Sequence, residues 1–349
     1  MGQARLRVGI AGAGWVAASR HVPAVLARRD AELVSIYDRD RARAGGLCEK
    51  IGAKHTTAGS VLAHSSLAEF LSEGLDVVHI TSSPWSHHDL AVAALSAGSH
   101  VFVEKPMAMN SAQAKSMADE ALTRRRLLCV SHNFLWSASM TNALAQLGGA
   151  PVEYMLGLQL SAATRRLPTW HRDLPGGLLF DEVPHMLYSA NHLLGGKLEV
   201  EHVRATFDGG SCPRSAEVLL HGRTGQGQIT MVFSSPVSEW HIMASSSERF
   251  VDVDLFRDIA IGLRPDGEHR SSDIARSSAS AVSGHVAGFA RAGGRWLAQR
   301  QFWGHDVLIG RFYDAVRGHG PVPVPMEDAL SVVAASDDLL SHLGPPTGS

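Results

Sequence analysis

The chain has 349 residues, of which 45% are hydrophobic and 19% are charged, and its formal net charge is -2. This is the composition of a folded globular protein, and the length exceeds what one hydrophobic core normally fills, so we expect two domains. Proteins that bind nucleic acids or anionic membranes normally use clustered lysine and arginine. The near-neutral net charge shows no excess of these residues. We therefore expect a small-molecule ligand and neither a nucleic acid nor a membrane as partner.

The cysteines and the N-terminus point to a reducing compartment. Cys48, Cys129 and Cys212 form no CxxC pair, which argues against a disulfide framework and against a zinc finger. The N-terminus enters a strand pattern at once, without the succession of basic, apolar and small residues that a signal peptide has, and no apolar run is long enough to cross a bilayer. These features predict a cytoplasmic protein.

Apolar runs of strand length alternate with helical patterns through the first 130 residues. The predicted strands are 7–11, 32–37, 76–81, 100–103 and 127–130, and the predicted helices are 19–27, 67–71 and 88–97. This alternation is typical of βαβ units, whose right-handed crossovers build a doubly wound parallel sheet. We therefore predict an α/β domain over residues 1–130.

The first predicted strand runs directly into a GxGxxA motif formed by Gly12, Gly14 and Ala17. The first glycine permits a tight turn, the second lets the backbone approach a diphosphate, and the alanine keeps the next helix close to the sheet. Asp38 ends the second predicted strand, 24 residues after Gly14, where a carboxylate can accept hydrogen bonds from a ribose diol. The alternative is a tight turn without a ligand, but strand, helix and acid in this order favour a Rossmann dinucleotide site. Asp38 favours NAD, whereas Arg39 beside it can pair with the 2′-phosphate of NADP.

Glu104, Lys105 and Pro106 follow the fourth predicted strand, at the sheet edge where open α/β sheets bind ligands. Together with the glycine motif and the stretch ITSSPWSHH, this EKP sequence resembles the Gfo/Idh/MocA family, which includes glucose–fructose oxidoreductase and inositol dehydrogenase. The resemblance is strongest over residues 8–106 and returns at LPGGLLFDEVPHMLY, residues 174–188. It implies a Rossmann domain followed by an α/β domain with a large open antiparallel sheet, which often supplies an oligomer interface.

The resemblance also implies a catalytic group. In such enzymes the EKP lysine lies beside the nicotinamide, and an aspartate and a histidine four residues apart complete the site; here these are Lys105, Asp181 and His185. A spacing of four places Asp181 and His185 on one face of a helix. His185 can exchange a proton near neutral pH, Lys105 can stabilise alkoxide charge, and Asp181 can orient Lys105 or a substrate hydroxyl. Taken singly, each residue is more often structural, so the joint match carries this prediction.

Further contacts are carried over from the family pattern. Its TPxxxH stretch corresponds to Ser83, Pro84 and His88, with Trp85 where relatives frequently have asparagine. Relatives commonly have an arginine where this chain has Leu135, which is a departure from the pattern. The predicted cofactor-binding residues are Gly12, Gly14, Trp15, Ala17, Asp38, Arg39, Ser83, Pro84, Trp85, His88, Glu104 and Lys105. The predicted substrate-binding residues are Lys105, Trp170, His171, Arg172, Asp181 and His185. The two tryptophans of the first domain can equally be packing residues, and the segment 170–172 can equally be an exposed loop.

The second half of the chain has strand patterns at 152–160, 217–220 and 228–233, with connections that look too short for parallel crossovers. We therefore predict a mainly antiparallel sheet in a substrate-binding domain of residues 131–349, and a homo-oligomer formed through that sheet. A mainly helical pattern over 271–301 is interrupted by Gly293 and Gly294, and basic residues such as Arg300 stand beside aromatic ones such as Phe302. It predicts an amphipathic helix pair that covers a sheet or a dimer partner, in preference to a membrane-surface helix.

The combined features predict an NAD(P)-dependent dehydrogenase or ketoreductase. Its substrate would be a secondary alcohol or ketone of a sugar, a nucleotide-linked sugar or a cyclitol. Two alternatives are an enzyme that uses transient oxidation by tightly held NAD for elimination or glycosidase-like cleavage, and a cofactor-sensing binding protein without turnover. The 19 histidines show no HExxH or similar metal-ligand spacing, and hydride transfer assisted by lysine and histidine needs no metal, so we predict none.

Overall fold

The computed structural model describes residues 4–54, 60–165, 167, 169–208, 212–266, 270–297 and 303–343. The chain divides into two compact units, one formed by Met1–Ser131 with His305–Leu330 and the other by His132–Gly304 with Ser331–Ser349. Residues 305–330 thus belong to the N-terminal unit, whereas the predicted second domain, residues 131–349, included them. Sequence periodicity identifies this segment as helical but carries no information about which sheet it covers.

The first unit contains a six-stranded parallel sheet in the order β3-β2-β1-β4-β5-β6. Its strands are β1 (Leu6–Ala11), β2 (Ala31–Tyr37), β3 (Leu62–His64), β4 (Val77–Ile80), β5 (His100–Val103) and β6 (Leu128–Val130). The strand order reverses between β1 and β4, which is the topological switch point where doubly wound sheets bind ligands. Ala11 lies opposite both Tyr37 and Ile80, so the chain leaves the sheet between the ends of β2 and β4. All five predicted strands are present, and only the three-residue β3 was not predicted.

Short helices connect these strands. They are a π-helical turn (Ala17–His21) that continues into α1 (Val22–Leu26), then α2 (Arg41–Lys54), α3 (Leu67–Leu71), α4 (His87–Ser96) and α5 (Ser111–Arg124). Asn110 caps α5 by accepting a hydrogen bond from the Gln113 backbone at 3.0 Å. The buried residues of α5 are Ala114, Met117 and Ala121. Because two of these three are small, α5 has little apolar periodicity, and the sequence pattern does not predict it.

The second unit contains a seven-stranded sheet in the order β13-β12-β11-β7-β10-β9-β8. Its strands are β7 (Tyr154–Ala162), β8 (Glu199–Phe207), β9 (Pro213–His221), β10 (Gln226–Ser235), β11 (Glu239–Ser245), β12 (Phe250–Asp254) and β13 (Ile259–Leu263). Neighbouring strands are antiparallel except β7 and β10, which are parallel, so the predicted mainly antiparallel sheet is confirmed and contains one parallel pair. The connection between β7 and β10 spans a long helix and a hairpin, which gives the chain room to return in the same direction.

Helices α6 (Ala138–Leu147) and α7 (Leu178–Leu193) share one hydrophobic core with this sheet. Alternate residues of β7 and β10 are buried, as expected for a sheet with one covered face. Met155, Ile229 and Met231 of the sheet and Val183 and Met186 of α7 are fully buried in that core. The helix that carries Asp181 and His185 is therefore anchored along its length.

A single helix, α8 (Ser271–Leu297), runs through Gly293 and Gly294 where a helix pair was predicted. It packs on β13 through its glycines, because a Cβ atom added at Gly288 would lie 2.7 Å from Cγ2 of Ile259. The predicted apolar residues instead point away from this contact, and Val282, Val286 and Phe289 are all more than half exposed. Arg300 and Phe302 lie outside the described residues. No helix in the described part of the chain is long and apolar enough to cross a membrane.

The last two helices are α9 (His305–Val316) and α10 (Met326–Ser341). Helix α9 buries Leu308, Ile309, Phe312 and Tyr313 within the first unit. The Phe312 ring lies 5.7 Å from that of Phe102 on β5. Aromatic and aliphatic contacts of this kind attach the C-terminal segment to the Rossmann sheet.

Candidate active site

The turn after β1 requires glycine at its first position. Gly12 has φ +111°, and a Cβ atom there would lie 2.6 Å from the backbone nitrogen of Ser82 and 2.7 Å from the carbonyl carbon of Thr81. The Gly12 N–H donates to the Tyr37 carbonyl at 2.7 Å, and the Thr81 hydroxyl donates to the Gly12 carbonyl at 2.7 Å. The turn is thus pressed against the ends of β2 and β4, where no side chain fits.

The second glycine faces open space. A Cβ atom at Gly14 would meet only the Thr81 carbonyl oxygen, at 4.0 Å. The Ala18 N–H donates to the Gly14 carbonyl at 3.1 Å, so helical backbone begins here, and Ala17 is fully buried behind it. An uncrowded glycine at the start of a helix is the arrangement that lets backbone N–H groups approach a diphosphate.

Asp38 is held at the glycine turn by backbone donors. The Ala13 N–H donates to Oδ2 of Asp38 at 2.9 Å, and the Asp40 N–H donates to Oδ1 at 3.0 Å. Each carboxylate oxygen can accept a further hydrogen bond, and a ribose diol supplies two donors. Arg39 is exposed on the neighbouring position. The residues present therefore fit a dinucleotide.

The loop after β4 carries the next predicted cofactor contacts. Ser83 precedes a 3-10 turn, Pro84–Ser86, in which Trp85 is 38% exposed. Trp15 directly follows Gly14 in the chain and is 56% exposed. The Arg20 guanidinium lies 4.9 Å from the centroid of the Trp15 ring. Neither tryptophan is a core residue, which leaves both rings accessible to a ligand.

The two histidines that begin α4 have different surroundings. His88 is partly exposed, and its ring nitrogens lie 2.8 Å from Oδ1 of Asp89 and 3.1 Å from Oγ of Ser116. His87 is fully buried, and its Nδ1 lies 2.8 Å from the Pro106 carbonyl oxygen. The family pattern was matched to His88, so the contact of His87 with the EKP segment was missed.

The EKP segment follows β5. Glu104 is buried, and its Oε1 lies 2.8 Å from Nε2 of His21 and 3.4 Å from Nε2 of His305. The Lys105 backbone N–H donates to Oε2 of Glu104 at 3.2 Å, and the Lys105–Pro106 peptide bond is cis. Burial raises the pKa of Glu104, but the hydrogen bonds from His21 and His305 outweigh it and hold that pKa well below its usual value. Glu104 is therefore an ionised carboxylate within a histidine cluster.

These features of the first unit occupy one edge of one sheet. The glycine turn follows β1, Asp38 follows β2, the tryptophan loop follows β4 and Lys105 lies just beyond β5. Parallel strands end at the same edge, so this order brings the predicted nucleotide and lysine positions together.

In the second unit, Asp181 and His185 both lie on α7, as their spacing predicts. Asp181 is in the first turn and half-buried, and His185 is buried one turn later. Trp170, His171 and Arg172 belong to a 3-10 turn, Thr169–Asp173, in which Arg172 is exposed. Four residues separate this turn from α7 in the chain.

The proton position on His185 follows from a chain of hydrogen bonds. Asn133 Nδ2 donates to the Trp303 carbonyl at 2.9 Å, which orients the amide so that its Oδ1 accepts. The Tyr188 hydroxyl donates to that Oδ1 at 3.4 Å, while it accepts from the Phe134 N–H at 3.2 Å. With its proton directed at Asn133, the hydroxyl accepts from His185 Nδ1 at 2.9 Å. The neutral His185 ring therefore carries its proton on Nδ1 and its lone pair on Nε2, which is the tautomer of a general base.

Sequence reasoning missed Tyr188 and Asn133. Tyr188 lies three residues after His185, so its spacing on a helix was a usable signal. Asn133 lies 55 residues before Tyr188, and no local pattern connects them. Among the described residues of the first unit, His21 and His305 were missed for the same reason.

The family model described as oxidoreductase family, NAD-binding Rossmann fold, matches residues 6–132, which include the glycine turn, Asp38 and the EKP segment. Residues 6–132 are therefore an NAD-binding Rossmann domain of the Gfo/Idh/MocA oxidoreductase type. The resemblance noted in the sequence is confirmed over these residues.

Two curated relatives illustrate the similarity. The chain is 32% identical over 197 residues to D-glucoside 3-dehydrogenase of Escherichia coli, an alignment that covers 54% of each protein. It is 27% identical over 309 residues to dTDP-3,4-didehydro-2,6-dideoxy-alpha-D-glucose 3-reductase of Streptomyces violaceoruber, covering 82% of this chain and 85% of that protein. At 30% identity or more, the chain thus spans only about half the length of the curated relatives it matches.

A solved structure of similar fold is UDP-N-acetylglucosamine 3-dehydrogenase from Acidithiobacillus ferrooxidans. The match has a TM-score of 0.74 at 18% identity and covers 97% of this chain and 98% of that one. The two-sheet α/β architecture predicted from the sequence is therefore a known fold.

Proposed function

We propose that this protein is an NAD(P)-dependent dehydrogenase or ketoreductase that interconverts a secondary alcohol and a ketone on a sugar, a nucleotide-linked sugar or a cyclitol. The observation that carries the proposal is the sheet edge of the first unit. There, a glycine turn with no room for a side chain, an acidic residue held at that turn and the lysine of EKP follow adjacent strands. That combination suits a dinucleotide with a catalytic lysine near its reactive end.

Gly12, Gly14 and Asp38 would hold the dinucleotide, with NAD preferred because Asp38 repels a 2′-phosphate. When bound, the nicotinamide supplies the hydride chemistry. Lys105 places an ammonium group at the reacting oxygen and stabilises the negative charge that develops there. The exposed Arg39 is the residue that would admit NADP.

His185 and Asp181 complete the proposed catalytic group. His185 accepts the hydroxyl proton of the substrate at Nε2 during oxidation and returns it during reduction. Tyr188 and Asn133 keep the other ring nitrogen protonated throughout. Asp181 orients Lys105 or a neighbouring hydroxyl through its carboxylate.

The names of the relatives favour one position on the sugar. A D-glucoside 3-dehydrogenase, a deoxyglucose 3-reductase and a UDP-N-acetylglucosamine 3-dehydrogenase all act at carbon 3 by name. We infer that the substrate is a hexopyranoside or its nucleotide-linked form and that hydride leaves carbon 3. Trp170, His171 and Arg172 offer an aromatic face and polar groups suited to a sugar ring.

The test compares substrates that carry deuterium at different carbons. Glucosides and nucleotide-linked glucosamines carrying deuterium at carbon 3 or at carbon 4 would be incubated with NAD or NADP, and the reduced nicotinamide would be analysed by absorbance and mass spectrometry. Deuterium transferred only from carbon 3 is the expected result. Product formation without net reduced nicotinamide would instead indicate elimination through transient oxidation, and tight NAD binding without any turnover would indicate a sensor.

We also propose that the protein is a homo-oligomer formed through the uncovered face of the second sheet. Tyr154 of β7, Phe207 of β8 and Leu219 of β9 are large apolar residues that are 39–45% exposed. Light scattering of the wild type and of a variant with Leu219→Lys and Phe207→Lys tests this. A monomeric wild type would contradict the proposal.

A further inference from the structure

Two buried histidines contact the residues on either side of Lys105. His21 lies 2.8 Å from the Glu104 carboxylate, and His87 lies 2.8 Å from the Pro106 carbonyl oxygen. Both histidines are fully buried. We propose that His21 and His87 are positioning residues that fix the main chain of Lys105 from both sides. This inference rests on the proposed function, in which Lys105 is the catalytic lysine.

On the N-terminal side, Glu104 transmits the contact to the lysine. Its Oε1 faces His21 and His305, while its Oε2 accepts the backbone N–H of Lys105 at 3.2 Å. An ionised carboxylate can only accept, so both imidazoles must present an N–H to it. With both oxygens engaged, Glu104 has one side-chain conformation, and the Lys105 N–H is directed by it.

The donor to Glu104 is itself held by a chain of hydrogen bonds. Because His21 donates from Nε2, its neutral ring must accept at Nδ1, where Nδ1 of His79 lies 2.8 Å away. His79 then donates from Nδ1 and accepts at Nε2, where the Tyr313 hydroxyl lies 2.9 Å away. The chain Tyr313–His79–His21–Glu104 therefore has one consistent direction, in which every link has one donor and one acceptor. It locks His21 in the tautomer that Glu104 needs.

On the C-terminal side, His87 connects the EKP segment to the loop after β4. Its Nδ1 lies 2.8 Å from the Pro106 carbonyl oxygen and its Nε2 lies 3.1 Å from the Ser82 carbonyl oxygen. Because a carbonyl oxygen can only accept, a neutral ring donates to one of the two, and the shorter distance assigns the N–H to Nδ1. His87 thus ties the residue after the lysine to the start of α4, which follows the loop that packs against Gly12.

Positioning matters here because the lysine ammonium sits at the end of a flexible four-carbon chain. The position of the Lys105 backbone therefore determines where this side chain starts. A misplacement of about 1 Å in a catalytic group can lower the rate on the order of 10²-fold. We expect loss of either histidine contact to lower kcat by about 10- to 100-fold and to change KM and NAD affinity by less than about 3-fold.

The test uses conservative variants that preserve one ring nitrogen at a time. An asparagine amide nitrogen approximates imidazole Nδ1, and a glutamine amide nitrogen approximates Nε2. His87 uses Nδ1 toward Pro106, so His87→Asn should retain most of kcat and His87→Gln should lose it. His21 uses Nε2 toward Glu104, so the order is reversed: His21→Gln should retain more activity than His21→Asn. This crossed pattern is not expected if the histidines merely fill space.

A second readout does not depend on turnover. Hydrogen exchange of the Lys105 amide in the substrate-free protein should accelerate at least about 10-fold in His87→Gln and His21→Asn and stay near the wild-type rate in the other two variants. The control is His100→Leu at the opposite end of β5, which removes the acceptor of the Leu127 N–H. It should lower the melting temperature while kcat and Lys105 exchange stay as in the wild type.

The outcomes separate this inference from the function on which it rests. If no sugar is oxidised but exchange follows the crossed pattern, the proposed function fails and the positioning role stands. If kcat falls equally in all four variants, or Lys105 exchange is unchanged in all of them, the positioning role is wrong. A stoichiometric metal ion in the purified protein, removed by chelation with faster exchange at Lys105, would also overturn it, since His21, Glu104 and His305 would then be ligands.

Discussion

At the scale of single residues, the hydroxyl of Tyr188 decides which nitrogen of His185 carries the proton. Tyr188→Phe removes the acceptor for His185 Nδ1 and for the Phe134 N–H. We expect kcat to fall by about 10-fold or more with little change in KM, because the base tautomer is no longer enforced. Steady-state kinetics over pH 6 to 9 measure this. Tyr154→Phe, at a half-exposed ring, is the matched control, and equal rates in both variants would remove Tyr188 from the mechanism.

Substitutions at the two glycines of the turn should affect different properties, namely stability at Gly12 and NAD binding at Gly14. Gly12→Ala meets the Ser82 backbone and a φ of +111°, so we expect a loss of stability of roughly 1–3 kcal/mol. Gly14→Val enters open space and should fold normally, but its side chain would occupy the diphosphate position and abolish NAD binding. Thermal unfolding and calorimetric titration with NAD measure the two effects. Undiminished NAD affinity in a folded Gly14→Val protein would exclude Gly14 from the site.

At the scale of elements, α8 shows that glycine spacing, not large apolar side chains, selects the face that packs. A methyl group at Gly288 would lie 2.7–3.2 Å from the branched stem of Ile259, whereas one at Gly293 meets nothing within 4 Å. We therefore expect Gly288→Ala to destabilise the protein and Gly293→Ala to stabilise it by roughly 0.5–1 kcal/mol through helix propensity. Urea unfolding of both variants checks the opposite signs. The same sign for both would mean that α8 does not pack on β13 through Gly288.

The sequence predicts a helix or strand where apolar residues repeat with the matching period. It does not predict which strands pair with each other. After their first residues, the strands 7–11 and 100–103 are buried on both faces, and they were predicted nearly as they occur. The three-residue β3 and the polar helix α2 have too little apolar repetition to be detected. The parallel pairing of β7 with β10 depends on chain direction after a long connection, which no local pattern encodes.

At the scale of the whole molecule, buried neutral histidines should make the protein acid-sensitive. Burial lowers the pKa of His21, His79 and His87, and it lowers that of His100 to about 4. In the unfolded chain these groups take up protons below a pKa of about 6.5, so stability falls as pH drops below that value. Glu104 adds its own loss below about pH 4.3, because its folded pKa is depressed.

We therefore expect the free energy of unfolding to decrease between pH 7 and pH 5. His100→Asn can still accept from the Leu127 N–H but cannot titrate, so its stability should fall less steeply over this interval. Urea titrations at both pH values measure the difference. Parallel losses in the wild type and the variant would show that His100 does not titrate differently on unfolding.

The sequence by itself determined the nucleotide turn, Asp38 and the helical pairing of Asp181 with His185. These depend on backbone sterics and on the periods of strand and helix, which act over a few residues. Only the tertiary structure decided that His87 rather than its neighbour His88 faces the EKP segment, and that His21 and His305 meet Glu104. Adjacent helix residues point in different directions, and residues distant in the chain meet only when strands and helices pack, so the choice depends on burial against a sheet that local patterns do not contain.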